Sequence, residues 1–217
     1  MFERHKEKRA EKAHEEAIAQ WQARRDAYAA LIQLASTYAG ETSADLVLAP
    51  GEALFYRVDG ASLVEERSTG GHYQGGSTGI SVPIGSVGGR TVRYRVGANR
   101  GHYVQGTPTP TAVDTGTVFV TDRRIVFEGA RQTRQCDFAK LIGFRHDDQH
   151  GSTTVSVSNR QKPVTVHYGP ELSGAFDFRL DLALAHYRGT VDELVGQLRA
   201  DLATIDGERP PAGVGTP

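Results

Sequence analysis

The residues with the most chemical potential in this chain are arginines. Arg90, Arg93, Arg95 and Arg100 fall within eleven residues, and Arg123 and Arg124 stand together downstream. A guanidinium presents a planar fork of donors that matches phosphate or carboxylate oxygens. The set therefore suits an anion site, such as a phospholipid headgroup. The structural alternative is a solvated outer face balanced by Glu65, Glu66 and Asp122. In TVRYRV (91–96), strand alternation places Arg93 and Arg95 on one face. A second cluster, HDDQH (146–150), offers His146, Asp148 and His150 as weak metal-ligand candidates. A polar turn between strands explains the same residues. His72-Tyr73 and His102-Tyr103 repeat one pair in two glycine-flanked stretches, and would form a polar aromatic patch if those stretches meet.

Other chemistry is not legible. Residues 75–79 (GGSTG) lack the Gly-Lys-Ser/Thr ending of a phosphate loop. There is no G-x-S-x-G elbow, and no carboxylate pair stands out for acid–base work. The reading is no enzyme, no catalytic residue and no cofactor. Cys136, the one cysteine, rules out an internal disulfide framework and a cysteine-based zinc cluster, and reads as a structural thiol in a strand.

The 217 residues carry 25 basic and 26 acidic side chains, a formal charge of −1. That balance argues against a general nucleic-acid binder. It is unevenly spread: residues 41–170 hold 14 basic and 12 acidic side chains, whereas 171–217 hold 4 and 8. No apolar run approaches the length of a membrane span, and the N-terminus lacks the features of a secretory signal. The expected location is the cytoplasm, extended to peripheral attachment at the inner membrane face if the arginines bind lipid.

Four zones follow from the pattern. Residues 1–40 contain a charge-dense stretch, 3–38, without Gly or Pro, which predicts a long helix stopped by Gly40. Its C-terminal half carries an apolar stripe, with Trp21, Tyr28, Leu31 and Ile32 as protein-interface candidates. That stripe either docks on its own domain or self-associates. Residues 41–50 read as a linker. Residues 51–206 form the main domain, and 207–217 a disordered tail. Within the domain, ALFYRV (53–58) and ASLVEE (61–66) flank Asp59-Gly60, a hairpin signal. Further short strands are predicted at 91–96, 116–121, 124–129, 133–138, 140–146, 153–158 and 163–168. Residues 69–89 and 97–116 are predicted as long loops or edge excursions. Residues 174–178 read as extended and 179–187 as helix. A last helix follows Thr190, with Glu193 completing a capping-box pattern.

The segment DTGTVFVTDRRIVFEG (114–129), followed by CDFAKLIGF (136–144), resembles the core of bacterial PH-like and GRAM-like domains. The matching residues are Gly116, Thr117, Val118, Val120, Thr121, Arg124, Ile125, Val126 and Phe127, then Phe138, Lys140, Leu141 and Ile142. The resemblance covers roughly 50–205, with its specific part confined to about 30 residues. It implies a bent seven-stranded antiparallel sheet closed by a C-terminal helix, with the Gly-rich insert carrying its own strand pair. The fold class is thus mainly β with flanking helices (α+β). Family members bind phospholipid headgroups, peptides or other subunits. Protein assembly through the N-terminal helix, with a partner protein or as a homo-oligomer, is the leading expectation. Binding of anionic phospholipid through the arginine-bearing face is the alternative, and an unrecognised enzyme the third.

Overall fold

The computed structural model describes residues 2–68, 72–87, 90–104 and 108–211, with side chains at 5, 8–67 and 109–211. It divides into two compact units, one of residues 1–63 and 114–217 and one of residues 64–113. Helix α1 (Phe2–Thr37) opens the chain, and α2 (Ser173–Arg188) and α3 (Val191–Gly207) close it. Between them lie β1 (Leu54–Ser68), β2 (His72–Val87), β3 (Arg90–Val104), β4 (Pro108–Thr121), β5 (Arg124–Gly129), β6 (Thr133–Asp137), β7 (Leu141–Asp147), β8 (Ser152–Val157) and β9 (Val164–His167). Seven strands form an antiparallel sheet in the order β6-β5-β4-β1-β9-β8-β7, and β2 and β3 form a separate two-stranded sheet.

Alternation explains the sheet's core. Val118 pairs with Phe127 and Val120 with Ile125, while Phe119 and Val126 pair on the reverse face. All six are buried, so this end of the sheet is covered on both sides. One cover is α2. Its Phe176 stacks on Tyr168 with ring centroids 4.2 Å apart, and its His186 ring sits 4.8 Å from Phe55. The other cover is the stretch expected to be a linker. Leu46 packs on Leu54, Phe119 and Val126, and Glu41 exchanges two backbone hydrogen bonds with Leu54, 2.9 and 2.8 Å. Gly40 makes the entry possible. Its φ is +83°, and a Cβ there would lie 2.6 Å from that of Ala53. Residues 41–52 are therefore a strap over the sheet.

Three expectations need correction. Asp59-Gly60 is not a hairpin turn, because β1 runs through it unbroken with Gly60 at φ +73°. A left-handed glycine marks a local irregularity in a strand as readily as it marks a turn. Residues 174–178 are helical, since the alternation in FDFRL also fits a helix buried by Phe176 and Leu180. The Gly-rich stretches are largely strand rather than loop, in β2, β3 and β4, and the β2–β3 pairing is the strand pair expected of the insert. Glycine spacing hid their pairing, because it removes the side chains from which alternation is read.

Candidate functional site

The arginines divide into a consumed group and a group without acidic neighbours in sequence. Arg124 is consumed. Its Nε donates to Glu52 Oε1 at 2.8 Å and its Nη2 to Glu52 Oε2 at 3.0 Å; further bonds reach the Val47 carbonyl at 2.8 Å and Gln135 Oε1 at 3.0 Å. The Glu52 side chain is 1% exposed. It also accepts from Thr121 Oγ1 and the Ala49 N–H, each at 2.7 Å. Burial pushes its carboxyl pKa up. The Ala49, Arg124 and Thr121 hydrogen bonds outweigh that and hold it below the usual range. Arg124 is thus a strap anchor, and its place among the anion-site candidates is withdrawn. Its donors are spent inside the fold. Arg123 is exposed at the same turn, with its guanidinium 3.3 Å from where a Gly51 Cβ would sit.

The remaining four arginines belong to β3. Their side chains lie outside the described residues, but the backbone register places each one. Arg93 stands opposite Pro83, Arg95 opposite Ser81, Arg100 opposite Gly76 and Arg90 opposite Val87. Residues 68–113 contain these four arginines and no Asp or Glu. The repeated His-Tyr pairs meet across the same ribbon, with Tyr73 opposite Tyr103 and Gln74 opposite His102. The two stretches that carry the repeated pair therefore meet in the ribbon, with His72 opposite Val104.

The interface stripe of α1 is largely occupied by the chain itself. Trp21 Nε1 donates to the Ile205 carbonyl at 2.7 Å. Arg25 bonds Asp206 at 2.8 Å, Arg24 pairs with Glu208, and the Arg209 guanidinium lies 5.4 Å from the centre of the Trp21 ring. Tyr28 lines a cleft of about 440 Å³ with Arg24, Asp201, Thr204 and Ile205. Leu31 and Ile32 are half-buried, and Ala35 is buried. Of the two readings of the stripe, docking on its own chain is the one seen at Trp21 and Tyr28, which face α3, and their reading as an exposed interface is corrected. Residues 208 and 209, expected in a disordered tail, take part in that clamp.

The HDDQH cluster separates. His146 Nδ1 lies 2.6 Å from Asp177 Oδ1 of α2, and Thr153 Oγ1 lies 2.8 Å from the same nitrogen. Tyr168 joins through Thr153 at 2.8 Å and donates to Asp177 at 3.2 Å. His150 instead folds back on Asp147 at 3.0 Å and is exposed. Strand alternation sends His146 inward, while His150 belongs to the turn. The pair is therefore split, Asp148 is an exposed turn residue, and among the described residues no group of three or more potential ligands could hold a metal. Asp177 was missed in sequence because it sits on α2, 31 positions from His146. Burial raises its carboxyl pKa, and neighbouring Asp148 raises it further against the opposing pull of His146 and Tyr168. Among the described residues no helix is long and apolar enough to cross a membrane. No family model, curated protein or solved structure matches the chain.

Proposed function

We propose that this chain is a non-catalytic binding module, PH/GRAM-like in its β-domain, that engages an anionic phospholipid surface through the β2–β3 ribbon. One observation carries the reading: the four arginines of β3 lie in a 46-residue stretch, 68–113, with no acidic side chain. Arg24, Arg25, Arg57 and Arg124, by contrast, are paired with carboxylates. A cationic stretch without internal counterions draws them from a partner, and phosphate-bearing surfaces supply them. The seven-stranded sheet with helices after its last strand agrees with the PH/GRAM-like resemblance.

Co-sedimentation with vesicles tests this. The protein should pellet with vesicles containing about a third phosphatidylserine at low salt, and release as salt screens the charge. Replacing both Arg93 and Arg95 by Gln should weaken retention several-fold. Equal binding to neutral and anionic vesicles, or preference for an oligonucleotide, overturns the proposal.

Assembly through α1 is the second reading. It rests on the part of α1 that precedes Trp21, because α3 ends at Gly207, level with Trp21–Arg25. Light scattering of the full chain over a concentration range should then show a multimer. A constant monomer mass removes it.

A further inference from the structure

The register of the ribbon says more than its charge, because it sorts side-chain types by face. Directly paired residues of an antiparallel ladder share a face, and faces alternate along each strand. Ile80 pairs with Val96 and Val82 with Tyr94, so these two pairs lie on one face. The intervening Ser81–Arg95 pair and the next pair, Pro83–Arg93, lie on the other. Thr78–Ala98 continues the apolar face, and Gly76–Arg100 follows it. Arg100 stands four residues from Val96, about 13 Å along the strand at ~3.3 Å per residue. The register shifts between Pro83 and Gly85, and the remaining pairs to Val87–Arg90 close the ribbon.

This is an amphipathic ribbon: a small apolar face, an arginine-bearing face behind it, and one arginine beyond each end of the apolar face. Those two are Arg90, opposite Val87, and Arg100 at the other end, both on the apolar side by alternation along β3. A two-stranded sheet has no second layer of its own to bury an apolar face, and such ribbons are marginal in water. A partner that is apolar in depth and anionic at its surface fits both faces at once. We infer that the distal half of the ribbon (78–98) lies in the interface of an anionic bilayer, with Ile80, Val82, Tyr94 and Val96 on the face toward the acyl chains. Arg93 and Arg95 then sit on the face at headgroup level. This inference rests on the lipid reading above and specifies how the surface is engaged.

Physical limits set the depth. Each strand of a two-stranded sheet has one unpaired edge, and free backbone N–H and C=O groups are not tolerated in the hydrocarbon core. The ribbon therefore remains in the interface, at the roughly 5–10 Å depth reached by amphipathic surface elements. Tyr94 suits that level, since its ring is apolar and its hydroxyl polar.

Tryptophan scanning in the full-length protein tests the inference. Val82→Trp and Ser81→Trp place reporters on opposite faces one residue apart. Wild-type protein, with Trp21 alone, supplies the background. On vesicles of phosphatidylcholine and phosphatidylserine with brominated acyl chains, Val82→Trp should shift to the blue. Its quenching should exceed that of Ser81→Trp by at least about threefold, as expected for a face lying ~5–10 Å deep. Val96→Trp, opposite Ile80, should behave like Val82→Trp and guards against a local fault in one variant. If the variants bind the vesicles but quench equally or not at all, the insertion is wrong while surface binding stands. If wild type itself does not bind anionic vesicles, both fall.

Discussion

The strap side of the seven-stranded sheet and its α2 side are both held by polar groups, yet their carboxylates are biased in opposite directions. At the strap, Glu52 meets a guanidinium, a hydroxyl and a backbone N–H, and its pKa is lowered. Under α2, Asp177 meets a histidine and a tyrosine but also a second carboxyl, and its pKa is raised. A full set of donors outweighs burial and holds the Glu52 pKa down, whereas burial, aided by the neighbouring Asp148 carboxyl, outweighs the donors around Asp177 and moves its pKa up. The linkage to pH is opposite as well. Glu52 contributes stability above the ordinary Glu range of about 4.3, lost as pH falls through its lowered folded value. Asp177 holds its proton more tightly in the folded state. Its contribution is full below the ordinary Asp value of about 3.9 and declines as pH rises through its raised value.

The strongest way to break this contrast is Glu52→Gln. It leaves the Arg124 guanidinium, with its side chain only 20% exposed, facing a neutral partner, and a broken buried pair costs about 3 kcal/mol. Urea unfolding should read that loss, and a change below ~0.5 kcal/mol would show the pair to be no better than a surface one. A smaller effect is expected on the α2 side. Tyr168→Phe removes the hydroxyl that joins Thr153 to Asp177 and should cost about 1 kcal/mol. Asp177→Asn sharpens the contrast through slope. Wild-type stability should carry a component that declines from pH 4 toward neutrality, about 1.4 kcal/mol for each unit by which the Asp177 pKa is raised, and the amide variant should lack it. An unchanged pH profile would remove Asp177 as the source. The smallest effect belongs to Thr190→Ala. No cap hydrogen bond is formed by the Thr190 side chain, so the loss should stay under about 0.3 kcal/mol, where a working N-cap is worth ~1.

That last case shows how sequence and structure part. Thr190 and Glu193 mark where α3 begins, since the helix starts at Val191, but the spacing of a capping box does not guarantee its hydrogen bond. Strands β5, β8 and β9 were readable because alternating apolar residues line them on one or both faces. The 116–129 hairpin was readable for the same reason. The strap was not, because its anchors are single residues whose partners lie far away: Leu46 on Phe119 and Val126, and Glu52 on Arg124. The arginines were correctly singled out by type, but spacing could not separate Arg124, which has a buried carboxylate, from the acid-free set in β3. The faces of the ribbon needed a register. Alternation within TVRYRV placed Arg93 with Arg95, and only pairing with β2 showed what stands opposite them.

Cys136 lies on β6 at 2% exposure, opposite Ile125, and burial pushes its thiol pKa up to about 11. Thiolate is the reactive form, so at neutral pH this sulfur is shielded both by its surroundings and by its protonation. The folded protein is consequently a silent background for thiol chemistry. A cysteine introduced at Ser81 or Val82 would be the one that takes a spin label or fluorophore, and its face could be followed without removing the native residue.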